Sequence, residues 1–170
     1  MKKIAFKNFR RFNNFPSLEL GNISILVGRN NSGKSTMVKA ILLVLDYLQN
    51  QQYDEISFTN KSLEDANIVT FGRAKNNKSK IDEITFNLEF EGYQISIFIY
   101  GNDDDTNANV SKINIFDLNL KIYFEINYTQ NTIRIIKKNL RVVDTDQESF
   151  RSLKNELKDL EIEVQKKDFN

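Results

Sequence analysis

The run Gly28-Arg29-Asn30-Asn31-Ser32-Gly33-Lys34-Ser35 constrains this chain more than any other stretch. It fits G-x-x-x-x-G-K-[ST], the phosphate-binding P-loop, with every fixed position filled. An apolar run, Ile23-Ser24-Ile25-Leu26-Val27, leads into it like a buried strand, and an apolar helical segment, Met37 to Leu48, leads out. Strand, glycine loop and helix is the order that this motif requires, and it predicts an α/β fold of the P-loop NTPase kind.

The spacing follows from the chemistry. Water solvates a triphosphate well, so a competing loop must turn its own N–H groups inward as an anion nest. Gly28 and Gly33 allow the close, sharply turned backbone that a Cβ would block. Asn30, Asn31 and Ser32 fill the cradle between them. The helix that follows points its N-terminal amides and positive dipole end at the same phosphates. Lys34 brings a full charge toward the β- and γ-phosphates, the Ser35 hydroxyl is a ligand for Mg²⁺, and Thr36 can bond a further phosphate oxygen. A glycine turn that merely capped a helix would not require Lys34 and Ser35 together. The expected ligands are therefore ATP and Mg²⁺.

Composition narrows the classes. At 170 residues the length suits one domain with a real core. A net charge of +1 gives no overall pull toward nucleic acid or anionic lipid, so such binding needs a local patch. The chain has no cysteine and no histidine, which removes disulfides, thiolate and imidazole metal sites, and every Ser-His triad. Catalysis would have to run on positioning, Mg²⁺ and carboxylates, and no catalytic residue stands out. The basic start, Met1-Lys2-Lys3-Ile4-Ala5-Phe6-Lys7, is broken too early for a signal peptide. No segment approaches the roughly 18 apolar residues that span a bilayer. The expectation is a cytoplasmic protein without a membrane partner.

Along the chain, residues 3–9 read as a strand and Arg10-Arg11-Phe12 as a basic-aromatic turn, with Leu18 and Leu20 alternating after it. The helix is expected over 34–49, then a loop with one short helix to residue 66, and a solvated loop over 73–80. The period then becomes two. Ile84, Phe86, Leu88 and Phe90, a Glu91-Gly92 turn, and Tyr93, Ile95, Ile97 and Ile99 predict an antiparallel hairpin. Leu118 to Ile126 and Ile133 to Ile135 extend it into a meander. Thr145 and Glu148 form a capping box. Phe150, Leu153, Leu157, Leu160 and Val164 follow at spacings of three and four, so residues 143–170 read as an amphipathic helix after a lobe of residues 1–142.

Residues 4–48 carry a more specific likeness. Ile4-Ala5-Phe6-Lys7-Asn8-Phe9-Arg10, then Leu18 and Leu20, Ile23 to Val27, and Gly28 to Thr36 resemble the N-terminus of ABC-type ATPases of the SMC/RecF/OLD group. The Asn-Asn-Ser-Gly-Lys-Ser-Thr form is particularly similar to OLD-like AAA ATPases of bacterial DNA-repair and phage-defence systems. The resemblance implies an ABC-ATPase head, here its N-terminal lobe, with the meander as its antiparallel part. It implies that Arg10 lies near the nucleotide and that two heads meet head to head across ATP. It further implies DNA and an effector protein as partners. Asn31 stands where relatives have glycine, and asparagine tolerates the left-handed backbone there.

The departures are as informative. ABC-type hydrolysis resembles other P-loop chemistry in needing a Walker B carboxylate pair and a Ser-Gly-rich signature. Phe116-Asp117 is the nearest approach to the first, but Lys112 and Asn114 interrupt its strand, no Glu follows, and all six glycines are isolated. Phe71-Gly72-Arg73 marks the region where a Q-loop would stand, without its glutamine. The chain thus resembles an N-terminal half whose missing half supplies hydrolysis. Asp103-Asp104-Asp105 suits a cation or, more commonly, a solvated loop. Asp144 and Asp146 suit helix capping. Lys2, Lys3, Lys7, Arg10 and Arg11, and Arg134, Lys137, Lys138 and Arg141, are two candidate groups for DNA phosphates. A GTPase is excluded, because no D-x-x-G or N-K-x-D occurs. A transporter nucleotide-binding domain lacks the same Q-loop and signature. A non-catalytic nucleotide-binding or interaction module is the alternative.

Overall fold

From Ile84 onward, apolar residues recur at every second position, and that period decides the architecture. The computed structural model describes residues 1–50, 53–139 and 160–165. Its centre is one sheet of nine strands: β1 (Lys3–Phe9), β2 (Phe12–Glu19), β3 (Glu55–Ser57), β4 (Glu83–Phe90), β5 (Tyr93–Tyr100), β6 (Asn107–Asp117), β7 (Ile122–Tyr128), β8 (Thr132–Asn139) and β9 (Leu160–Gln165). The order is β2-β1-β4-β5-β6-β7-β8-β9, with β3 on β6, and every pairing is antiparallel. The chain's single proline, Pro16, sits in β2, an edge strand where its missing N–H costs no ladder bond.

Register carries the alternation across the sheet. Phe6 pairs with Phe86, Phe86 with Ile97, and Ile97 with Ile113, so one face is apolar from strand to strand. Lys7, Thr85, Phe98 and Lys112 continue the opposite face, mostly polar. Helix α1 (Lys34–Gln49) lies on the apolar face and buries Met37, Ala40, Leu43, Val44 and Tyr47 there. A 3-10 turn, Lys61–Ala66, packs on α1 and is pinned by buried Asp46, which accepts hydrogen bonds from the Asn60 amide at 2.6 Å and from the Ser62 hydroxyl. Asp46 thus has a structural reason to interrupt an apolar helix.

Two expectations are overturned. The fold is not an α/β P-loop NTPase fold. A βαβ unit needs a strand, a helix and a second strand parallel to the first. Here residues 23–27 join no strand, and the strand after α1 is β3, antiparallel to β6. Ile23, Ile25 and Val27 are 87, 81 and 86% exposed instead of buried. The C-terminal amphipathic helix is also corrected where it can be seen, because Leu160–Gln165 is strand β9. Leu160, Ile162 and Val164 fit period two as well as a helical spacing. The open edge of β8 resolves the ambiguity, with Ile135 opposite Ile162 and Ile133 opposite Val164. The capping box at Thr145–Glu148, Asp144, Asp146, Arg141, Phe150, Leu153 and Leu157 lie outside the described residues. Residues 34–49 are helical and residues 84–99 form the β4–β5 hairpin, as their patterns require.

The exposed run and the buried ladder respond differently to mutation. Replacing Ile23, Ile25 and Val27 together by Thr should leave unfolding stability within about 0.5 kcal/mol per site, the range of ordinary surface changes. Ile97→Ala, in the ladder, should cost about 2–5 kcal/mol. Urea unfolding of both variants checks this, and collapse of the triple variant would restore residues 23–27 to the core.

Candidate functional site

The candidate site is assembled where the β1–β2 turn, the start of α1 and helix α2 (Phe71–Ala74) meet. Phe9 pairs with Phe12, so Arg10 and Arg11 are the two residues of a tight hairpin turn. Arg10 has φ 50°, a left-handed conformation for which such turns normally use glycine or asparagine. Its amide donates to the Ala74 carbonyl at 2.6 Å, and its guanidinium to the Arg73 carbonyl at 3.3 Å. The Asn76 amide donates to the Asn8 carbonyl at 3.1 Å, and the Asn8 side-chain amide reaches the carbonyls of Ile81 and Glu83 at 2.7 and 2.6 Å. Residues 71–83 are therefore fastened round the end of β1 by main-chain contacts.

The glycine loop rests on the same hairpin. Gly33 is the N-cap of α1, with φ 101°, and a Cβ there would run into the ring of Phe12. Both the conformation and the close approach require glycine. Phe12 stands edge-on to Phe6 and Phe15, at 6.0 and 5.0 Å between ring centroids, and so is fixed itself. Asn31 takes φ 65° and accepts from the Arg11 guanidinium at 2.9 Å. The first turn of α1 has no side-chain cap and no acidic residue. Its leading N–H groups have no intrahelical acceptor. Lys34 bridges the loop, donating to the carbonyls of Gly28 and Arg29 at 2.7 and 2.8 Å.

Beside the loop lies a cavity of about 560 Å³, lined by Arg10, Arg11, Asn31, Ser35, Thr36, Lys39, Gly72, Arg73, Lys75 and Asn77. The volume is that of a small-molecule site. Lys75 is neutralised by Asp82 and Asp103, at 2.6 and 2.8 Å. Arg10, Lys39 and Arg73 have no anionic partner among the described residues. Burial, then Arg73, pulls the Arg10 guanidinium below its ordinary pKa, and burial, then Arg10 and Arg73, does the same to Lys39. These cations repel one another across the cleft, and an anion placed between them would relieve that repulsion.

Of the residues singled out from sequence, Arg10, Asn31, Ser35 and Thr36 line the cleft. Gly28, Asn30, Ser32, Gly33 and Lys34 are outside its lining and shape the loop next to it. Lys39, Arg73 and Lys75 were not assigned to the site. Lys39 was legible as the charge four residues beyond Ser35, on the same helical face. Arg73 and Lys75 belong to a stretch whose composition reads as solvated loop. Only the tertiary tie to Arg10 brings them in.

The other candidates disperse. Asp103 holds Lys75, and Asp105 accepts the Asn102 amide at 2.9 Å, so this triplet braces a loop. No group of His, Cys, Asp or Glu among the described residues could hold a metal ion. Asp117 caps the β6–β7 turn, accepting from the amides of Asn119 and Leu120 at 2.8 Å. Lys3 is paired with Glu89 at 2.9 Å and Arg134 with Glu161, while Lys137 falls on the opposite face of β8 from Arg134 and Lys138. Among the described residues, no helix is long and apolar enough to cross a membrane. No family model, no curated protein and no solved structure matches this chain.

Proposed function

We propose that this chain binds ATP where the Gly28–Thr36 loop meets the cationic cleft. It would do so as the nucleotide-holding part of a larger SMC/RecF/OLD-like ATPase acting in DNA repair or anti-phage defence. The observation that carries the nucleotide reading is the convergence of Arg10, Lys39 and Arg73 beside an uncapped helix N-terminus. Amides and cations held in place before the ligand arrives offer a polyanion more than water does. Support for the family assignment is the resemblance over residues 4–48 alone.

Binding and turnover separate in this reading. Among the described residues no carboxylate lines the cleft to orient an attacking water, so hydrolysis would depend on groups from another polypeptide segment. Two surfaces suit such a segment. Residues 23–27 expose an apolar-rich run, and Val38, Leu45 and Leu48 make a second exposed stripe on α1, away from the buried one. The alternative, a nucleotide-binding module without catalysis, is favoured by the same lack of a carboxylate. ATP turnover by this chain alone would exclude it.

Lys34→Ala should weaken ATP by about 10- to 100-fold, the worth of one charge-assisted hydrogen bond. Its contacts are with exposed loop carbonyls, so circular dichroism should be unchanged. Calorimetric titration with equal affinity for both proteins would remove the site assignment. Arg10→Gly separates binding from folding. Glycine suits a φ of 50°, so thermal stability should stay within about 1 kcal/mol of wild type. ATP affinity should still fall by about tenfold or more. A variant that binds normally would make Arg10 a turn residue only.

A further inference from the structure

The loop motif implies Mg²⁺, and the residues around Ser35 do not suit it. A magnesium ion held at a triphosphate takes oxygen ligands in an octahedron, with one or two carboxylates joining the loop hydroxyl and the phosphates. Ser35 lines the cleft, but among the described residues no Asp or Glu does. Asp82 and Asp103, which reach the cleft through Lys75, are both bonded to its ammonium group. The place of the metal's charge is taken by the protein itself. Arg10 comes from the β1–β2 turn, Lys39 from α1 and Arg73 from α2, so three separate elements aim uncompensated cations into one cavity. A dication entering there meets like charge, whereas a triphosphate meets opposite charge from both the loop and the far wall.

Two further observations point the same way. Lys39 lies one helical turn beyond Ser35, so the basic surface continues about 6 Å along α1 from its amide end, farther than a single phosphate needs. Arg10 occupies a left-handed position that glycine would fill more easily, which places a guanidinium in the cleft at a conformational cost.

We propose that this cleft takes the nucleoside triphosphate as the metal-free anion, with Arg10, Lys39 and Arg73 in the electrostatic role of Mg²⁺. This rests on the nucleotide reading above and changes the form of the ligand. Magnesium in solution then competes with the protein for the triphosphate and adds nothing to the complex.

The test is calorimetric titration of the whole chain with ATP, and separately with inorganic triphosphate, at fixed ionic strength in EDTA or in excess Mg²⁺. Wild type should bind at least as tightly in EDTA as in Mg²⁺. The Lys39→Ala/Arg73→Ala variant should lose about tenfold or more in EDTA, and less in Mg²⁺. Both side chains reach solvent, and unchanged circular dichroism of the variant confirms its fold. Wild-type binding that falls about tenfold or more when Mg²⁺ is removed overturns the proposal and leaves the nucleotide reading intact. A double variant as tight as wild type in EDTA overturns the assigned role of the cations. Absence of binding under both conditions overturns the nucleotide reading and this proposal together.

Discussion

The aromatic packing at the β1–β2 hairpin holds the sheet and the candidate site in one piece. Phe6 stacks on Phe15 at 4.4 Å and meets Phe9 and Phe12 edge-on, while Phe9 meets Phe86 of β4 at 5.4 Å. Each ring buries a large apolar area, and the mutual geometry adds to that. The hairpin is thereby immobilised against the sheet centre, and its far side becomes a support. Phe12 closes on Gly33, and Arg11 holds Asn31. Without that support, a loop preceded by residues that join no strand would be fixed chiefly by its own bridging Lys34.

Much of the sheet was legible in the sequence, because period-two alternation in Ile84–Ile99 admits no competing element. Helix α1 was legible because sixteen residues without glycine or proline follow a glycine N-cap. Three failures have distinct causes. Ile23 to Val27 has strand composition, but a strand exists only where another pairs with it, and composition carries no news of a partner. Residues 160–165 satisfy both periods, so the free edge of β8 decides. Strand β6 was obscured by Lys112 and Asn114. These point to the outer face, which is not covered by α1, and Lys112 lies over the Phe98 ring at 4.4 Å. For the site, the loop was legible and the cleft beside it was not. Arg10 and Arg73 are 63 residues apart, and a backbone tie near the end of β1 unites them.

Charge distribution separates this cleft from an ordinary basic surface. At other places single cations are paired, as with Lys3 on Glu89 and Arg134 on Glu161. Within the cleft Lys75 is held by Asp82 and Asp103, whereas Arg10, Lys39 and Arg73 converge with no carboxylate between them among the described residues. A net charge of +1 shows that carboxylates are plentiful enough to have been placed in the cleft as well. Their absence from the lining among the described residues, together with the left-handed Arg10, means the local arrangement works against stability in the free protein. An anion between these cations would relieve their mutual repulsion.

The correction of the fold leaves the phosphate reading standing, and the reason is physical. A parallel sheet is not itself a phosphate ligand. What a polyphosphate meets is a set of amides, an ammonium group and a helix end, and these need only be fixed in place. In a βαβ unit the fixing comes from the paired strand before the loop. Here residues 23–27 form no strand, and rigidity enters from the other side, through Phe12 under Gly33 and the main-chain tie of Arg10 to Ala74. The two arrangements differ in what they leave exposed. A loop braced from its hairpin side keeps five apolar-rich residues free of any ladder, so their unsatisfied backbone is available to a further strand. Strand pairing at residues 23–27 would then stiffen the loop from its second side. Any partner that supplies such a strand should therefore tighten nucleotide binding, and by linkage nucleotide should tighten the partner.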